Sequence, residues 1–238
     1  MRPISLFNSF VPEMAERMPS KHGAAARGAL PYAIADVLNF ALTLEYLEAE
    51  FYQRGVGAPG LLPADVRPQF DQIRKHEVAH VEFLKQVLGP QAVGKPTFDY
   101  TGGMGKKTGP FADVFSNPVT FAAVAQAFED TGVRAYKGQA ANLMSDDAIL
   151  QSALQVHSVE ARHAAQVRHI RQQKGWITED SRGNLPPVTQ PIYNGEANKF
   201  HFILAQPSHG NSMSEAFDET LTSSQVLSIV APFIAKPA

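Results

Sequence analysis

Apolar positions recur at helical spacing in four long segments of this chain. The first, about Tyr32 to Arg54 (YAIADVLNFALTLEYLEAEFYQR), is apolar nearly all round, which predicts a largely buried helix. It stops at the Gly/Pro-rich stretch GVGAPGLLP. The second runs from about Ala64 to Leu88 and ends at Gly89-Pro90, a pair that halts a helix. The third spans about Pro118 to Asn142, with Asn117 placed to cap it and Pro118 at its first position. The fourth begins at Ser145 and reaches about Lys174; Asp146 and Asp147 sit in its first turn, where the helix dipole favours negative charge.

The connections say how these helices assemble. A loop of roughly ten residues joins the first helix to the second and only a few residues join the third to the fourth, so each pair reads as a hairpin. Residues 90–116 are long enough to run the length of a bundle. The expected fold is therefore all-α, a four-helix bundle of two hairpins joined by one long crossover. Residues 1–30 read as an N-terminal arm, 31–175 as the bundle and 176–238 as a C-terminal extension. That extension is Pro/Gly/Asn-rich and irregular until the short apolar helix in SSQVLSIVAPFI. Its Phe, Ile and Leu content predicts that it packs on the bundle.

Composition narrows the chemistry. With 44 % hydrophobic and 18 % charged residues, the 238-residue chain can bury a sizeable core. A formal charge of -2 and the lack of any Lys/Arg cluster give no electrostatic basis for a nucleic-acid partner. No apolar run is long enough for a membrane span. The start, MRPISLFNSFVPEM, reads as an extended arm and is poor as a secretion signal. The expected location is cytoplasmic, or exported if a leader has been removed. Cys is absent, which excludes disulfides, thiolate metal sites and thiol catalysis. Any metal then falls to Asp, Glu, His and water, a donor set suited to Fe, Mn or Zn.

Two stretches supply such donors. RKHEVAHVEFLKQ and, eighty-odd residues later, HSVEARHAAQVRH each hold Glu-x-x-His within an expected helix. Residues three apart share a helical face, so Glu77 projects with His80 and Glu160 with His163. The first hairpin also carries Glu45 followed by Tyr52, and the second Glu129 followed by Tyr136, both seven residues apart. Equivalent residues are offset by 84, 84, 83 and 83, the mark of a duplicated helical hairpin. With 13 Glu and 8 His, chance placement gives roughly 0.4 Glu-x-x-His pairs, so one alone would mean little. Two, each at matched distance behind Glu-x6-Tyr, form the ligand set of a carboxylate-bridged di-metal centre. Glu45 strengthens this, because an unpartnered carboxylate inside so apolar a helix would be costly.

Nearby groups keep more than one reading. Glu48, one turn beyond Glu45, can bind metal, replace another ligand or lie at the rim. His157, one turn before Glu160, is a supporting group, a further ligand or a surface residue. Tyr52 and Tyr136 either hydrogen-bond the ligand carboxylates across the bundle or serve as core aromatics. Glu50 and Glu82 point away from the ligand face, and His76, though adjacent to Glu77, projects elsewhere. His22, His169, His201 and His209 have no partner at recognisable spacing.

LNFALTLEYLEAEFYQRG with HEVAHVEFL, then AFEDTGVRAYKG with VHSVEARHAA, and finally SEAFDETLTSSQVLSIVAPFI, resemble the ferritin-like domain family that includes desiccation-related proteins. The resemblance is strongest over residues 32–175. It implies a ferritin-like bundle with Glu45, Glu77, His80, Glu129, Glu160 and His163 as ligands of two Fe or two Mn ions. It also implies peroxide or dioxygen as the small-molecule partner and a role in stress protection. An oxidoreductase of peroxidase, catalase or oxidase type is one reading; a stress-related structural or interaction protein without turnover is the other. A zinc-occupied site also fits the donors. Symmetric association into a homo-oligomer is common for such bundles, though no coiled-coil seam fixes a number.

Overall fold

The computed structural model describes residues 29–198 and 212–235. Nearly all of the expected N-terminal arm lies outside the described residues, as do His22, His201 and His209.

Four long helices dominate: α1 (Tyr32–Gly57), α2 (Arg67–Leu88), α3 (Pro118–Gln139) and α4 (Asp147–Ile170). α1 packs along α2 and α3 along α4, giving two hairpins, and residues 92–117 cross between them. Among the described residues there is no strand, only one isolated bridge between Phe98 and Ile234. The described residues form the expected all-α bundle of two hairpins joined by a long crossover.

Local chemistry sets the helix limits and shifts some from their expected places. α2 begins at Arg67 rather than Ala64, with Pro68 in its first turn where a missing N–H costs nothing. The Asn117 side chain accepts from the Val119 N–H at 3.0 Å and caps α3. α3 ends at Gln139 because Ala140–Leu143 tightens into a 3₁₀ turn. α4 begins at Asp147, not Ser145, because Asp146 is extended and accepts the Ile149 N–H at 3.1 Å as the cap.

The core has an aromatic end and an aliphatic end. Phe51, Tyr52, Phe70, Phe121 and Phe128 fill the first, with Phe51 stacked on Phe121 at 4.6 Å. Leu38, Leu42, Leu84, Leu88 and Ile149 fill the second. Glu45 and Glu48 of α1 lie between Leu42 and Phe51, at the waist where the two ends meet. α3, not α1, is the most enclosed helix: every residue from Phe121 to Tyr136 is buried.

The reason is the C-terminal extension, which covers the outer side of α3 with a 3₁₀ stretch (Pro187–Ile192) and α6 (Ser223–Val230), while a short α5 (Ser212–Glu215) bonds to residues 174–179 after α4. Arg134 of α3 holds the extension. Its guanidinium donates to the carbonyls of Ile192, Asn194 and Glu219 and pairs with Glu196. At Gly138 a Cβ would stand 2.0 Å from the Leu221 carbonyl oxygen, so only glycine admits this approach. The extension also grips the crossover, where Asp99 N–H donates to the Phe233 carbonyl at 2.7 Å.

Candidate metal centre

Each helix sends at least one acidic residue to the waist. Glu45 and Glu48 come from α1, Glu77 and His80 from α2, Glu129 from α3, and Glu160 and His163 from α4. All seven are buried, and Glu45, Glu77, Glu129 and Glu160 have no exposure at all. Donor atoms of Glu45, Glu77, His80 and Glu160 lie within 4.8 Å of one another, and so do those of Glu77, Glu129, Glu160 and His163. Glu77 and Glu160 belong to both groups.

The Glu-x-x-His spacing aims both imidazoles inward. His80 Nδ1 is 3.2 Å from Glu45, 3.3 Å from Glu77 and 3.3 Å from Glu160. His163 Nδ1 is 2.8 Å from Glu77 and 3.4 Å from Glu129. The tyrosines cross between hairpins. Tyr52 Oη donates to Glu129 at 2.5 Å, and Tyr136 Oη donates to Glu45. Both rings also lie in the core, so each tyrosine is a core aromatic whose hydroxyl bonds a cluster carboxylate.

Crowding four acids into an apolar waist distorts their proton affinities. Burial, then the charge of Glu77, pushes Glu45 up to about 7. Burial drives Glu160 well above the carboxylate range and also raises Glu129. Burial acts on Glu77 in the same sense, yet bonds from His163 and His80 outweigh it and hold Glu77 far below that range. Burial lowers His163, but Glu129 and Glu77 overcome it and push the imidazole up to about 11.

A cation fits these residues. Glu77 Oε1, Glu129 Oε2, both oxygens of Glu160 and His163 Nδ1 are buried with no well-aligned hydrogen bond, so the close imidazole contacts leave these acceptors incompletely satisfied. Buried polar atoms are normally satisfied, and a cluster of acceptors facing one another calls for a positive charge. This acidic and imidazole cluster can hold metal ions.

Glu48 lies beside the cluster and outside both groups. Burial and then the charge of Glu160 raise its carboxyl well above the usual range. A Cβ at Gly132 would stand 2.9 Å from Glu160 Oε2 and 3.4 Å from Glu48 Oε1, so glycine keeps the space both carboxylates use. His157 is half-buried and also outside both groups. Glu82 is exposed, paired with Lys85, while Glu50 bonds Lys95.

His76 corrects the sequence reading. Instead of projecting elsewhere, its ring stacks on His163 with centroids 5.1 Å apart, and its Nδ1 is 2.8 Å from His163 Nε2. The Gln72 amide meets the far side of His76 at 2.7 Å. A chain of Gln72, His76 and His163 thus runs from the surface to the cluster. Only the spacing of Gln72 and His76, four apart on one helix face, hinted at it.

The family model for the ferritin-like domain matches residues 33–173, more than half of the chain, and the chain belongs to that family. None of the curated proteins compared with the chain matches it. Among the described residues, no helix is long and apolar enough to cross a membrane.

Proposed function

We propose that the cluster is a carboxylate-bridged di-metal centre, di-iron or di-manganese, acting on peroxide or dioxygen in protection against oxidative or desiccation stress. Its ligands in this reading are Glu45, Glu77, His80, Glu129, Glu160 and His163. The observation that carries it is the sharing of Glu77 and Glu160 by two donor groups, the arrangement two neighbouring cations need for common bridges. Four carboxylates also balance two divalent charges, which removes the cost of burying them unpaired. Two redox-active ions held there supply paired electron exchange with a bound oxidant.

The protein's own groups set the geometry. Tyr52 and Tyr136 orient the outer carboxylates Glu129 and Glu45. A cation on His163 Nδ1 would require the proton on Nε2, which would then donate to His76 Nδ1; the Gln72 amide, whose Nε2 faces His76 Nε2, would turn over to present its oxygen to the His76 Nε2–H. Glu48, next to Glu160, is the carboxylate available to exchange with it.

One observation favours a second reading, a structural or interaction protein without turnover. Protonated His80, within 3.3 Å of three carboxylates, neutralises part of the cluster without metal. Peroxide decomposition separates the two. Protein loaded anaerobically with Fe(II) or Mn(II) should consume peroxide, with a Glu160→Ala variant inactive. Metal-dependent thermal stability with no peroxide consumption would instead establish the structural reading.

A further inference from the structure

The C-terminal extension does more than cover α3. Between α3, the crossover, the 3₁₀ stretch Pro187–Ile192 and α6 it leaves a chamber of about 660 Å³ that is open to solvent, with Met104, Pro110, Val188 and Asn194 exposed at its rim. That is the size of sites that take an organic molecule of drug-like dimensions. Its inner wall is Val124, Ala127 and Phe128 of α3, all buried, and its lining includes the half-exposed Met104 and Val188. No charged side chain of the described residues lines it.

The oxygens of its few polar side chains already have partners, which leaves the amide N–H groups of Asn194 and Gln225 as its side-chain donors. The Thr189 and Ser228 hydroxyls donate to the carbonyls of Pro186 and Ser224, Gln225 Oε1 is engaged in capping α6, and Asn194 Oδ1 accepts from Gln190. A ligand in the chamber is therefore recognised by shape and apolar contact, and a charged one would give up its hydration without compensation.

The chamber borders the waist of the bundle. Phe128, held edge-on to Phe233 at 4.9 Å, lines the chamber on one side. On the other it lines a void of about 10 Å³ shared with Glu48, Gly132 and Val230, close to the smallest that admits one water. Glu129, the next residue, belongs to the acidic cluster. One aromatic ring thus separates an apolar chamber from the carboxylates.

We propose that the chamber binds an uncharged, largely hydrocarbon small molecule and holds it against the Phe128 ring, beside the cluster. Only the statement that this ligand sits next to a metal centre rests on the function proposed above.

The test uses the full chain and 4-fluorobiphenyl, a neutral probe, followed by its fluorine NMR line. The wild type should broaden the line saturably. Ser228→Arg, which brings a charge into the lining, and Val188→Arg, at a half-exposed position that tolerates substitution, should each weaken binding at least tenfold. Val119→Arg, exposed and away from the chamber, should leave it unchanged, and Glu77→Gln should still bind whether or not metal does. Absence of saturable binding by the wild type, or equal binding by both chamber variants, would overturn the proposal. If the protein takes up Mn(II), the bound probe should relax faster with Mn(II) than with Zn(II). Equal relaxation, with binding still weakened by both chamber variants and Mn(II) uptake lost in Glu77→Gln, would overturn the placement of the ligand beside the cluster.

Discussion

Laid over one another, the two hairpins agree at Glu45 and Glu129, Tyr52 and Tyr136, Glu77 and Glu160, and His80 and His163. Most other positions differ, and two of those differences lie against the cluster. The counterpart of Glu48 is Gly132, and the counterpart of His76 is Val159. Both differences fall next to the second half's donors. Gly132 leaves the space that Glu48 and Glu160 occupy together, so the waist holds five carboxylates and has no room for a sixth. His76 reaches across from α2 to back His163, whereas Val159 has no group with which to back His80. The duplication accounts for the shared donor set; the departures from it mark where the two half-sites are supported differently.

The largest effect should come from the two residues common to both donor groups. Glu77→Ala or Glu160→Ala should abolish uptake of both metal equivalents, whereas Glu45→Ala or Glu129→Ala should leave about one per chain by elemental analysis. Equal stoichiometry in all four variants would break the distinction between shared and unshared carboxylates.

The convergence of these six side chains, the four helices and the long crossover were legible in the chain, because helical period and a repeated spacing are local signals. The missing features are long-range. His76 follows Lys75 and precedes Glu77 on α2, and successive side chains on a helix point about 100° apart. Helical position alone therefore turns it off the ligand face; only the packing of α4 beside α2 brings the outer nitrogen of His163 to it. Arg134 reads as one more polar residue near a helix end, yet it is buried against carbonyls 58 to 85 residues away. The extension it anchors is also why α3 is more enclosed than α1, the helix whose composition looked the more buried.

Giving the first hairpin the second hairpin's residue sharpens the comparison. His76→Val should weaken one metal equivalent by about 10–100-fold while leaving helical content intact, the usual consequence of losing a ligand's hydrogen-bond partner. Competition titration with a chelator measures it; loss from both equivalents alike would show that His76 does not act through His163.

Tyr52→Phe and Tyr136→Phe come next. Each deletes one bond between hairpins to a buried carboxylate, and each should cost about 1–3 kcal/mol in urea unfolding of the metal-free protein. Similar losses are expected, because the two bonds occupy equivalent places; a difference exceeding that range would mean that the pseudo-symmetry does not extend to energetics.

The smallest effect belongs to Gly132→Ala. Its methyl group would meet Glu160 Oε2 at 2.9 Å, so the carboxylate must shift, and metal affinity should fall by ~5-fold, about 1 kcal/mol. In a Glu48→Ala background the shift is easier, and part of that loss should return.

The most direct test of the di-metal reading is elemental analysis of protein purified without added metal or chelator, then reconstituted anaerobically with Fe(II) or Mn(II). Close to two ions per chain are expected in the wild type and none in Glu77→Ala. A wild-type protein that takes up no metal under these conditions would contradict it.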